Sequence, residues 1–122
     1  MYLSSPLPVE IKDSLIDPDS NDRTARWRNP PNAKPSYRVF LYLDGPGLAF
    51  VSSVTYLLHP TFPDPKRQVF RTTSNPRCKL EIWTWGLFDL VAVVATKEGN
   101  TFSLTHELQY DKEFKDVKFV AA

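Results

Sequence analysis

From residue 37 onward, apolar and polar positions alternate in short runs broken by turn residues. "YRVFLYLD" (37–44) is rich in β-branched and aromatic residues and stops at Asp44-Gly45-Pro46-Gly47, a turn signal. "FVSSVTYLLH" (50–59) sets Val54, Tyr56 and Leu58 on one face and Ser53, Thr55 and Leu57 on the other. "RQVFRTT" (67–73) follows a proline-rich turn, and "CKLEIW" (78–83) places Leu80 and Ile82 opposite Lys79, Glu81 and Trp83. "LFDLVAVVAT" (87–96) is nearly all apolar, as expected of a central strand. Glu98-Gly99-Asn100 predicts a hairpin into "TFSLTHELQY" (101–110), whose Phe102, Leu104, His106, Leu108 and Tyr110 share a face. "VKFV" (117–120) completes the set. Seven to eight short strands at regular spacing, with no amphipathic helix, predict an all-β, immunoglobulin-like antiparallel β-sandwich.

Residues 1–35 differ. They hold more than half of the eleven prolines, together with Ser, Asp and Asn, and "SLIDPDSNDRTARWRNPPNAKP" sustains no period of 2 or 3.6. The expected organisation is a proline-rich N-terminal arm or linker over 1–35 and a sandwich domain over 36–122. Within the arm, Val9, Ile11, Leu15 and Ile16 can lay a short strand or turn on the domain, and Trp27 can dock. Such an arm suggests a piece of a longer protein with other domains.

Composition narrows the function classes. At 122 residues the chain is one domain, and 42% hydrophobic with 13% aromatic residues is globular material. A formal net charge of +1, from 15 basic and 14 acidic residues, gives no broad basic footprint, so nucleic acid is not the expected partner. Cys78 is the only cysteine, which excludes an intrachain disulfide and a CxxC metal site. No run reaches the roughly 18 apolar residues of a membrane span, and no signal-peptide pattern opens the chain. A cytoplasmic location is the expectation.

Catalytic chemistry finds little support. There is no phosphate-binding glycine loop and no GxSxG, and the two histidines, His59 and His106, lack HxH or HxxxH spacing. A metal shared by His59, His106 and Asp64 is conceivable in type but not in spacing. The expectation is a protein that is not an enzyme, with no metal and no cofactor. His106 reads as a core-edge histidine bonded to a neighbour.

Two stretches are unusual. "YLLHPTFPDPKRQVF" (56–70) ends a strand in a histidine, a hydroxyl and an aromatic ring fixed among prolines. In "EIWTWGLFDL" (81–90), Gly86 follows Trp85 directly, and a glycine in a strand run marks a bulge or a close backbone approach. Each offers an aromatic ring beside a free backbone donor. "VTYLLHPTFPDPKR", then "WGLF", then "LTHEL", in that order, resemble a YEATS domain, most closely its prokaryotic branch, over about residues 37–111. The resemblance implies an immunoglobulin fold and a binding module that reads acylated lysine. Carried over by motif, it implies a pocket of His59, Thr61, Phe62 and Trp85. The backbone around Trp85 and Gly86 would meet the acyl carbonyl, and Phe88 would line the pocket's far end or sit in the core. Thr84 stands where the family commonly has glycine, and a β-branched residue resists positive φ, which bears on the shape of this loop.

The chemistry of that assignment is simple. An acylated lysine ends in a flat neutral amide with one donor, one acceptor and an apolar tail. Two aromatic faces, Phe62 and Trp85, can sandwich the plane. The Thr61 hydroxyl can accept from the amide N–H, a backbone N–H can donate to the carbonyl, and His59 can orient Thr61. An ammonium offers only donors and would leave that N–H unsatisfied. A pocket open at both ends would also admit crotonyl. Plainer readings stand beside this one: Phe62 and Trp85 as core plugs, Thr61 as a turn cap, and the domain as a structural or protein-interaction immunoglobulin-like unit of a larger protein.

Overall fold

The computed structural model describes residues 7–29, 31 and 34–122. Nine strands are present among them: β1 (Glu10–Ser14), β2 (Thr24–Arg28), β3 (Ser36–Asp44), β4 (Val51–Leu57), β5 (Lys66–Phe70), β6 (Leu80–Thr84), β7 (Asp89–Thr96), β8 (Thr101–Glu107) and β9 (Lys118–Ala121). They form two sheets. In one, β3 is central: β1 and β2 share one of its edges, β6 takes the other, and β9 extends from β2. The second runs β5-β4-β7-β8. Every pairing is antiparallel except β2 with β9, which is parallel.

Seven of the strands arise where the alternation predicts them. The other two lie in the stretch expected to be an arm. β1 pairs with β3 over five residues, from Glu10 opposite Asp44 to Ser14 opposite Phe40. Val9, Ile11, Leu15 and Ala25 are buried in the main core cluster. A division at residue 35 therefore cuts through a hydrogen-bonded sheet. The prolines misled because none falls inside β1 or β2: Pro8 precedes β1 and Pro18 lies in the turn between the two strands.

The core lies between the sheets. Val39, Leu41 and Leu43 of β3 face Val54 and Tyr56 of β4 and Leu90, Ala92 and Val94 of β7, all fully buried. Between Val51 and Ser53 the β4–β7 register shifts, which brings Val51 onto the same core face as Val54 and Tyr56. The Tyr56 hydroxyl donates to the Cys78 carbonyl at 2.7 Å, satisfying a polar pair inside the core. Gly45 has φ +128° and its α-carbon lies against the backbone of Pro8 and Val9, so a side chain there would clash with the start of β1.

These buried hydroxyl and thiol groups set the alkaline limit of the fold. Burial pushes the Cys78 thiol up to about 11. Burial first, then the nearby Tyr37, Asp111 and Asp13, pushes Tyr110 up to about 12. Tyr56 is raised as well, by burial. The native state thus keeps protons that the unfolded chain releases, so stability is whole below about pH 9 and falls as pH rises towards about 12. The urea midpoint is expected to hold between pH 7 and 8.5 and to drop steadily above pH 9. A midpoint unchanged to pH 11 would contradict this.

Candidate functional site

Two loops at one end of the sandwich build the site. The first, residues 58–65, leaves β4 and returns to β5. Its ends are tied by the Leu58 N–H donating to the Pro65 carbonyl at 2.7 Å, and the Phe62 N–H donates to the His59 carbonyl at 3.0 Å, closing a four-residue turn with Pro60 in second place. Pro60 pre-sets the φ that this turn position needs. Asp64 takes φ +48°, a left-handed conformation that aspartate tolerates. Arg67 then clamps the loop from behind, its guanidinium donating to the carbonyls of Asp64 at 2.6 Å and Pro63 at 2.8 Å. The turn is rigid before any ligand arrives.

Inside this turn, His59 and Thr61 form a small network. The Thr61 N–H donates to His59 Nδ1 at 3.2 Å, so that nitrogen carries the lone pair. The Thr61 hydroxyl, 2.9 Å from the same nitrogen, donates to it too, which leaves its own lone pairs free to accept. Phe62 stacks on Phe88 with centroids 5.4 Å apart and planes tilted by 58°, and His59 meets Phe88 edge-on at 6.2 Å. Phe88 is therefore the ring beneath both residues, lining the cavity and touching the core cluster at once.

The second loop, residues 85–88, joins β6 to β7. β6 ends at Thr84, and Trp85 leaves the ladder with 61% of its surface exposed. No residue from 84 to 88 has positive φ. Thr84 instead pins the loop: its buried hydroxyl donates to the Gly86 carbonyl at 3.0 Å and accepts the Gly86 N–H at 3.3 Å. Tyr110 donates to the same carbonyl at 3.0 Å, tying the loop to the aromatic cluster of Tyr37, Phe114 and Phe119. The Gly86 N–H is thus already used, contrary to the free donor expected there. The Trp85 N–H takes no partner among the described residues. Lys34 lies over the Trp85 ring, its ammonium 4.4 Å from the ring centroid.

Between the loops is a cavity of about 410 Å³, lined by both. All six residues singled out in the sequence, His59, Thr61, Phe62, Trp85, Gly86 and Phe88, line it. Phe62 makes its ring contact with Phe88 and not with Trp85, so the space between the two aromatic walls is open. Trp83 and Thr84 also line it, and sequence reasoning missed both as pocket residues. Trp83 was recognisable only as alternating with Ile82. Its place depends on how β6 ends. No carboxylate borders the cavity, and its walls are mostly apolar, with Phe62, Trp83, Trp85 and Phe88 among them.

The histidine readings divide. His106 Nε2 is 2.5 Å from Asp13 Oδ1, whose other oxygen accepts the Gln109 N–H at 2.9 Å. It is a bonded core-edge residue on β8. No group of three His, Cys, Asp or Glu side chains placed to hold a metal occurs among the described residues. No helix among them is long and apolar enough to cross a membrane.

The model of the prokaryotic YEATS domain family matches residues 37–109. No curated protein matches the chain. Solved structures of Yaf9 YEATS domains are similar in fold. One recognising an H3K122suc peptide aligns with a TM-score of 0.61 at 21% identity, covering 88% of this chain and 74% of that one. One bound to H3K27ac gives 0.54 at 20%, covering 84% and 71%. A third gives 0.55 at 18%, covering 93% and 83%.

Proposed function

This chain belongs to the prokaryotic YEATS domain family, and on that premise we propose that it is a non-catalytic binding module that captures an acylated lysine between Phe62 and Trp85. The observation that carries the reading is the open, aromatic-walled cavity of about 410 Å³ with one oriented acceptor at its edge. That volume lies within the range of small-ligand pockets, roughly 300 to 1,000 Å³. The Yaf9 structures holding acetylated and succinylated histone peptides support the ligand class.

The roles follow from the geometry. Phe62 and Trp85 cover the two faces of the acyl amide and bury its apolar tail. His59 holds the hydroxyl hydrogen of Thr61, so Thr61 meets the ligand as an acceptor for its amide N–H. The Trp85 N–H, still unpartnered, donates to the acyl carbonyl. Thr84 and Tyr110 hold the Gly86 carbonyl and so restrain the loop that carries that N–H. An unmodified lysine would present only donors to the Trp85 N–H in an apolar slot, with no carboxylate on the lining to pair it.

Titration with matched peptides bearing unmodified, acetylated or crotonylated lysine tests the reading. Acyl-dependent binding of micromolar class, roughly 6 to 8 kcal/mol, is expected. Gly86 adds a sharper check. A methyl group built on Gly86 meets no atom within 4 Å, and its backbone lies outside the left-handed region. Gly86→Ala should therefore leave the melting temperature unchanged while its methyl intrudes on the ligand, lowering affinity about tenfold. Equal binding of all three peptides would count against the function. Unchanged affinity in Gly86→Ala would count against this placement of the ligand.

A further inference from the structure

The outer face of the five-stranded sheet carries a row of cations that ends at the cavity. Arg38 on β3 stands in register opposite Trp83 on β6, and Trp83 lines the cavity. Arg28 pairs with Ser36, two residues from Arg38 and on the same face, and lays its guanidinium over the Trp83 ring at 3.5 Å. Arg26 follows on the same face of β2. Lys34, in the β2–β3 connection, covers Trp85 at 4.4 Å. Two cations thus rest on the two tryptophans of the pocket, and two more continue away from it.

Acids compensate this row only at a distance: Asp17 and Asp22 feel the charge of Arg38, and Asp22 that of Arg26, but none pairs closely with it. Among the described residues Arg28, Arg38 and Lys34 have no carboxylate within 4.0 Å, and Arg26 reaches only Asp22, at 4.0 Å. Asp22 itself is turned to Thr24, accepting from its hydroxyl at 2.7 Å and its N–H at 3.0 Å. Asp17 and Asp19 are taken by Lys79 at 2.7 and 3.2 Å, and Asp19 also by Arg77. Glu81 is the remaining acid on this face of β6, in register with Phe40 and one step farther from the cavity than Trp83. The Nε atoms of Arg26 and Arg38 are buried without an acceptor, so the charge of both guanidinium groups can be met only through their outer nitrogens.

We propose that this row is the seat for the rest of the ligand, and that the partner is a polypeptide whose acylated lysine is flanked by aspartate or glutamate. The inference rests on the pocket reading above and adds the sequence context of the target. Carboxylates on the flank of the modified lysine that runs along the sheet would lie over Arg28, Arg38, Arg26 and Lys34, and charge-assisted contacts to guanidinium forks favour carboxylates specifically. A lysine- and arginine-rich segment would meet like charge along the same path. A polypeptide fits better than a nucleic acid because the row is short, Glu81 and Asp22 border it, and the chain's net charge is only +1.

The experiment compares crotonyl-lysine peptides of equal length with glutamate, serine or lysine flanks, each beside its unacylated counterpart, on the full chain. With two or three exposed ion pairs, glutamate flanks should bind roughly three- to tenfold tighter than serine flanks at low salt, and lysine flanks weaker than both. The advantage should shrink to within about twofold near 0.5 M salt, where the Debye length falls well below its roughly 10 Å at 0.1 M. The Arg26→Gln/Arg38→Gln double variant, neither residue lining the cavity, should lose the preference while keeping the serine-flanked affinity; Lys34→Gln should lose part of it. Acyl-dependent binding that ignores flanking charge, or a preference that survives both salt and the arginine changes, overturns this inference and leaves the pocket reading standing. Absence of any acyl dependence overturns both. Displacement of the acidic peptide by a mixed-sequence single-stranded oligonucleotide of higher affinity reassigns the row to nucleic acid and overturns the proposal.

Discussion

Trp85→Ala is expected to weaken acyl-peptide binding by roughly 30- to 150-fold in a protein that melts where the wild type does. Losing one wall of the sandwich removes the apolar burial and the stacking of the ligand plane, together about 2 to 3 kcal/mol, or roughly 30- to 150-fold in affinity. For a ligand of about 1 μM that moves the dissociation constant to roughly 0.03 to 0.15 mM. The fold should not notice. Trp85 is 61% exposed and lies beyond the end of β6; among the described residues it makes no aromatic ring contact, and its one ring partner is Lys34. Substitutions at such positions usually stay within about 0.5 kcal/mol. Titration by calorimetry beside a thermal melt separates the two quantities. Full affinity in the variant would mean that the ligand, if any, lies elsewhere. Phe62→Ala is the less clean partner experiment, because Phe62 packs on Phe88 and on the core cluster and its loss costs stability as well.

The second large effect concerns the boundary at residue 35. A chain beginning at residue 36 would keep everything the family match covers, residues 37–109, and would still be expected not to fold. It loses β1 and β2, leaves one edge of β3 unpaired and removes the strand that β9 needs. Val9, Ile11, Leu15 and Ile16 are all buried, and at roughly 1.5 to 3 kcal/mol each their loss is on the order of 6 to 12 kcal/mol. That approaches the whole stability of a typical domain, about 5 to 15 kcal/mol. Two polar ties vanish too: Asp13 to His106 and Gln109, and Ser14 and the Leu15 N–H to Glu113. Circular dichroism and a urea titration decide the matter. A cooperative transition in the shortened chain would show that β1 and β2 are accessories after all.

The contrast between these two regions explains what a linear reading could see. The strands from residue 37 on carry their own period: a half-buried strand needs alternate apolar residues, and "TFSLTHELQY" writes that requirement into adjacent letters. β1 and β2 do not. "EIKDS" buries Ile11 and Ser14, and "TARWR" fully buries only Ala25, so neither segment shows alternation strong enough to stand out among prolines and aspartates. Their strand state is conferred by the long edge of β3. His106 was legible as a bonded histidine, but its partner Asp13, 93 residues away, was not.

The pocket residues divide along the same line. The sequence alone determined the β-sandwich and the two loops, because alternation and rigid turns are local properties carried by neighbouring letters, and its resemblance to the YEATS motif named the six residues that meet there. Only the tertiary structure decided that Thr84 locks the second loop through both polar groups of Gly86, that Tyr110 braces the same carbonyl, and that Arg28, Arg38 and Lys34 gather beside the tryptophans. Those relations join strands far apart in the chain, and the physical reason they stay hidden is that cross-strand register is fixed by burial of the whole sheet face and by no single segment.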